Sequence, residues 1–130
     1  MSTPTEIVQS LYAAFGRGDI EFIIKHIAPG AAWVSPGVGI PTAGRFIGPE
    51  GAMEFFQTLG KSEQITHFEP KEFVASGNTV IALGYEEMTS IATGKKAATN
   101  WAMLFRLDGE MVTYWEAFYD TSSYAAAHAA

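Results

Sequence analysis

The chain has no cysteine among its 130 residues. That excludes disulfides, thiolate metal sites and cysteine nucleophiles. Positive charge is also scarce. Eight Lys and Arg are scattered against fourteen Asp and Glu, for a net charge of −6. Phosphate backbones demand clustered cations, so nucleic acid is not an expected partner. No apolar run approaches the roughly 20 residues of a membrane-spanning helix, so no membrane partner is expected either. The start, MSTPTEIVQS, lacks a basic region followed by an apolar run, and a cytoplasmic protein is the expectation. His26, His67 and His128 lack the spacing of a metal site, so neither metal nor cofactor is expected. Linkers, repeats and composition breaks are missing too, which predicts one domain over residues 1–130.

What the chain does have is rings. Nine Phe, five Tyr and three Trp are many for this length. Each buried ring removes roughly 150–250 Å² from water, more burial than so small a core needs throughout. Some rings are therefore expected to line a cavity or an interface. The richest stretch is NWAMLFRLDGEMVTYWEAFYD, residues 100–120. It reads as two aromatic strands joined at Asp108-Gly109.

Thr3 with Glu6 fits a capping box, followed by apolar residues at helical spacing from Ile7 to Phe15. Asp19 caps a second predicted helix ended by Pro29-Gly30, and a short strand follows from Ala31 to Ser35. Residues 36–46 read as a Gly- and Pro-containing loop over a pocket mouth. Pro49–Leu59 is a third helix, and strands follow near 64–76, 79–91, 96–107 and 110–119. This order gives an α+β domain with three helices on the concave face of a curved antiparallel sheet. Such a cone holds a blind pocket.

Strand parity nominates the pocket wall. Trp101, Met103 and Phe105 share a face, as do Trp115, Ala117 and Tyr119. Ala82, Gly84, Glu86 and Met88 share another. Small Ala82, Gly84 and Ala117 beside Trp101 and Trp115 would leave room for a flat apolar ligand; plain core packing is the competing reading. Glu86 has two readings as well. Inside the cone its pKa would rise and it could act as acid or base. At the rim, Glu86 and Glu87 would both be hydrated, and adjacent carboxylates favour the rim. Asp120 precedes Thr121-Ser122-Ser123 and reads as a helix cap rather than a catalytic group. His67 reads as a rim or surface residue, His26 as a helix C-terminal partner, and His128 as part of a loose tail.

Four runs carry a family resemblance: YAAFGRGDIEFIIKHIAPGAAWVSPG, GPEGAMEFFQTL, FEPKEFVASGNTVIALGY and TGKKAATNWAMLFRLDGEMVTYWEAFYDTSSYAAA. Together they resemble the SnoaL-like, ketosteroid-isomerase-related branch of the NTF2-like superfamily. The resemblance implies a cone-shaped α+β fold, a homodimer through the sheet, and an apolar carbonyl or polycyclic ligand. With the strand parity above, the expected ligand contacts are Leu11, Tyr12, Phe15, Trp33, Ser35, Phe56, Trp101, Met103, Trp115 and Ala117. The resemblance does not bring a known reaction with it. The ketosteroid isomerase base would fall at Ser35, its tyrosine at Leu11 and its neutral aspartate at Met103, and none is retained. Epoxide hydrolases of this superfamily carry catalytic groups that would fall at Ala117, Gly84 and Glu86, of which only Glu86 is a carboxylate. A His common in relatives is replaced in Trp101-Ala102-Met103. If the protein is catalytic, a lyase or isomerase using Glu86 and Tyr119 as acid–base groups is the expectation. A binding or assembly module with a vestigial pocket is the alternative.

Overall fold

A computed structural model describes residues 2–130. The elements run α1 (Pro4–Gly16), α2 (Ile20–Lys25), β1 (Ile27–Ser35), β2 (Gly44–Ile47), α3 (Gly48–Ser62), β3 (Glu63–Ser76), β4 (Thr79–Ser90), β5 (Lys96–Asp108), β6 (Met111–Tyr119) and α4 (Thr121–His128). The six strands form one open sheet in the order β2-β1-β6-β5-β4-β3. All neighbours are antiparallel except β1 and β6, which run parallel.

The chain's local chemistry explains the helices. Thr3 Oγ1 accepts from the Glu6 amide, and the Thr3 amide donates to Glu6 Oε1, so the expected capping box closes α1. Ile7, Val8, Leu11 and Ala14 form its buried stripe. Asp19 caps α2 through the Phe22 amide. The α3 helix packs on β1 and β2, α1 lies against β3 and β4, and α2 bridges α1 and α3.

Three boundaries differ from the sequence expectation. The first strand begins at Ile27 rather than Ala31, running through Pro29-Gly30. It crosses an irregularity between Ile27 and Ala32 in its pairing with β6, where proline's missing N–H is tolerated. Residues 44–47 are a strand, not loop, because they pair with Ala32–Ser35. The remaining loop is pinned: Ile40 and Thr42 are buried, the former with Met88, Tyr124 and Ala127. Finally, the C-terminal tail is a fourth helix. Asp120 caps it through the Ser123 amide, as expected of an Asp before Thr-Ser-Ser. The α4 helix folds back onto β4 and β5.

Candidate functional site

Cross-strand register builds the inner face of the sheet in rows. Phe68 pairs with Glu86, and Glu86 with Thr99. Gly84 pairs with Trp101, and Trp101 with Tyr119. Ala82 pairs with Met103, and Met103 with Ala117. Val80 pairs with Phe105, Phe105 with Trp115, and Trp115 with Trp33. Helices α1 and α3 cover these rows. They enclose a cavity of about 100 Å³.

Most of its wall is apolar. Leu11, Phe15, Phe56, Trp33, Trp115 and Met103 all face it, and Ala117 leaves it open on the sheet side. Trp33 and Trp115 stack with centroids 4.3 Å apart. The Trp33 Nε1 hydrogen has no partner. The Tyr12 hydroxyl donates to Met103 Sδ at 3.1 Å. Sulfur is a weak acceptor. Burial, with the nearby charge of Glu86 adding to it, holds the Tyr12 phenol well above the usual tyrosine range, so it stays protonated.

Polar groups also reach the cavity: Glu86, Glu63, Tyr119, Tyr124, Ser35 and Thr42. Tyr124 donates to Glu86 Oε2 at 2.9 Å. Burial pushes the Glu86 carboxyl up to about 7; the Tyr124 hydrogen bond opposes that rise and the Glu63 charge adds to it. Tyr119 is held above the usual tyrosine range, by burial first and then by Glu63 and Glu86, with hydrogen bonding to Ser35 and Thr42 acting against the shift. It is therefore a hydrogen-bond donor at neutral pH. Glu63 is raised by burial, which its bond to His128 partly offsets.

His128 is not loose. Its Nε2 lies 2.9 Å from Glu63 Oε2 and its Nδ1 lies 3.2 Å from Ser90 Oγ. One ring nitrogen thus meets a carboxylate and the other a hydroxyl, so both sides of the imidazole are partnered. The Ser–His–Glu order resembles a hydrolase relay, but Ser90 is fully buried and does not line the cavity. A nucleophile must meet its substrate, so these groups are structural.

Most sequence-nominated residues meet at this cavity: Leu11, Tyr12, Phe15, Trp33, Ser35, Phe56, Glu86, Met103, Trp115, Ala117 and Tyr119. Two expectations need correction. Trp101 does not line the cavity. Its ring lies over Gly84, where an added Cβ would collide with Trp101 Cζ2. Phe68 stacks on it at 5.1 Å and Tyr12 at 5.6 Å. The glycine thus makes room for an indole rather than a ligand. Glu86 is not at a hydrated rim with Glu87; it turns inward and is half-buried, while Glu87 is exposed. His67 is exposed, 3.2 Å from Glu69 Oε1, and His26 Nδ1 contacts the Phe22 carbonyl, both as expected. Glu63, Thr42, Tyr124 and His128 went unnominated. Tyr124 and His128 stand four residues apart after a cap, so a helical reading of the tail would have put them on one face.

A curved, unclosed sheet with helices over an aromatic hollow defines the NTF2-like architecture. The chain belongs to the family of the SnoaL-like domain, whose model matches residues 8–115. An NTF2-like protein from Burkholderia thailandensis is 31% identical, with both chains covered over 100% of their length and a TM-score of 0.91. One from Burkholderia xenovorans is 29% identical, with 99% of each chain covered and a TM-score of 0.89. TerC, co-crystallised with polyporic acid, is 25% identical, with 98% of each chain covered and a TM-score of 0.83. Among curated proteins nothing matches the chain.

Proposed function

We propose that the protein binds an apolar carbonyl compound in this cavity and moves a proton on it through Glu86. The carrying observation is the Glu86 carboxyl, turned into an aromatic cavity and held there by Tyr124 at 2.9 Å; burial pushes it up to about 7. A general base works best with a pKa near the operating pH. The reaction class is enolisation. Glu86 takes a proton from carbon beside the carbonyl, the C–H pair moves into the enolate, and the oxygen gains the negative charge. Tyr119, kept neutral, donates a hydrogen bond to that oxygen. Returning the proton to another carbon isomerises the compound. Attack of the enolate carbon on a second carbonyl carbon closes a ring, and the alkoxide formed takes the proton that Glu86 holds.

The test is hydrogen–deuterium exchange of cyclic ketones in D2O, followed by proton NMR. The wild type should exchange the α-hydrogens, whereas Glu86→Gln should bind the same ketones without exchanging them. Equal exchange in both ends the catalytic reading.

Leu11 and Met103, which replace hydrogen-bond donors of the isomerase relatives, favour a second reading: a carrier that holds the ligand unchanged. Tryptophan quenching without exchange in the wild type would establish it. For assembly, Leu83, Ala102 and Phe118 form a row across the outer sheet face. Leu83 and Phe118 are exposed there. The homodimer implied by the family would use this face, and sedimentation velocity reads it.

A further inference from the structure

Ligand sites for small molecules run to roughly 300–1,000 Å³, and a cavity of roughly 150 Å³ holds benzene. The inner cavity, at about 100 Å³, has room for no more than one small ring. A second hollow lies just outside it. A groove of about 720 Å³ runs between α1 and β3. Tyr12, Phe15, Ile65 and Phe68 line both spaces, so one partition of four side chains separates them.

Phe15 and Phe68 meet edge to face in that partition, 5.0 Å between centroids. Phe68 belongs to β3, the edge strand. Its register slips between Ile65 and His67 and again between Pro70 and Glu72. Such bulges bend an edge and interrupt its ladder, which makes the intervening segment easier to displace. Phe68 is also the direct cross-strand partner of Glu86. Moving the ring outward therefore opens a path from the groove to the carboxyl.

We infer that the two spaces are the halves of one ligand site, with the Phe15–Phe68 contact as the internal door. This rests on the cavity being the ligand site proposed above. The occupant is a flat carbonyl compound of more than one ring. Its reacting ring enters the inner cavity near Glu86, and its second ring stays in the groove against Ala13, Gly16 and Pro70. Gln9, Thr66 and His67, exposed at the groove, meet polar substituents at that outer end.

Ala13 tests this cleanly. It is exposed, lines the groove and does not line the inner cavity. Ala13→Trp fills the outer half alone, and Gln9→Trp does so from an independent position. Cyclohexanone and phenylcyclohexanone are the probes, with tryptophan quenching as the readout. Both variants should lose phenylcyclohexanone affinity by about tenfold or more, the equivalent of one sterically denied ring. Cyclohexanone affinity should stay at the wild-type value. Unchanged phenylcyclohexanone binding overturns the two-chamber site, as does an equal loss of both ketones. A wild type that takes cyclohexanone but not phenylcyclohexanone also overturns it, while leaving the inner cavity as the site. A wild type that takes neither ketone removes the ligand reading itself, and the groove with it.

Discussion

Tyr124 and Glu86 are 38 residues apart in the chain and share a 2.9 Å hydrogen bond. One comes from the last helix and the other from the middle of β4. The bond does two things together: it helps to hold α4 on β4, and it opposes the rise that burial imposes on the cavity carboxyl.

Glu86 should make stability fall as pH rises from about 4.5 to about 7. The unfolded chain has released this proton by the ordinary glutamate value of 4.5, whereas the folded chain holds it until about 7. In that window the native state binds more protons, so raising pH favours unfolding. The full effect is about 3 kcal/mol at most. Urea unfolding of wild type and Glu86→Gln at several pH values isolates it. The advantage of the glutamine variant should grow across the window and level off above it. A constant difference would refute the raised carboxyl.

Tyr124→Phe removes the donor that favours the ionised carboxylate, so the Glu86 carboxyl should titrate above its wild-type value. Carbon-13 NMR of labelled glutamate reads the shift directly. The variant should also lose about 1.5–3 kcal/mol at pH 8, typical for a hydrogen bond to a charged group. A downward shift of Glu86 would contradict the geometry.

Breaking the Glu63–His128 pair should be costly. Their side chains are only 3% and 5% exposed, so loss of one partner strands the other away from water. His128→Ala should destabilise the fold by about 3–5 kcal/mol. His128→Gln, which retains a donor, should recover part of that. Glu63→Gln should lower the Glu86 titration, because Glu63's charge is one of its causes. A double-mutant cycle in urea measures the coupling, and additivity of the two single losses would show that the residues do not interact.

Gly84→Ala should be among the most damaging small substitutions. The new methyl would collide with the Trp101 ring and stand 2.6 Å from the Glu69 carbonyl oxygen. The indole is already packed against Phe68 and Tyr12. A loss of about 1–3 kcal/mol or more is expected from such overpacking, and near-UV circular dichroism should report the displaced tryptophan. A variant as stable as wild type would show that the stack yields.

What the sequence determined by itself was local and periodic. Capping at Thr3, Asp19 and Asp120, the turn at Asp108-Gly109, and alternation along four strands all depend on near neighbours. Alternation alone put Glu86 on the same face as Ala82, Gly84 and Met88. It could not say what covered that face. Only the tertiary structure decided that α4 returns to bring Tyr124 to the cavity carboxyl and His128 to Glu63, so that two adjacent glutamates end in opposite environments. Only packing decided that the space over Gly84 belongs to Trp101. Parity fixes the side from which a residue leaves the strand. Burial depends on atoms contributed from tens of residues away, and no local pattern encodes where those atoms land.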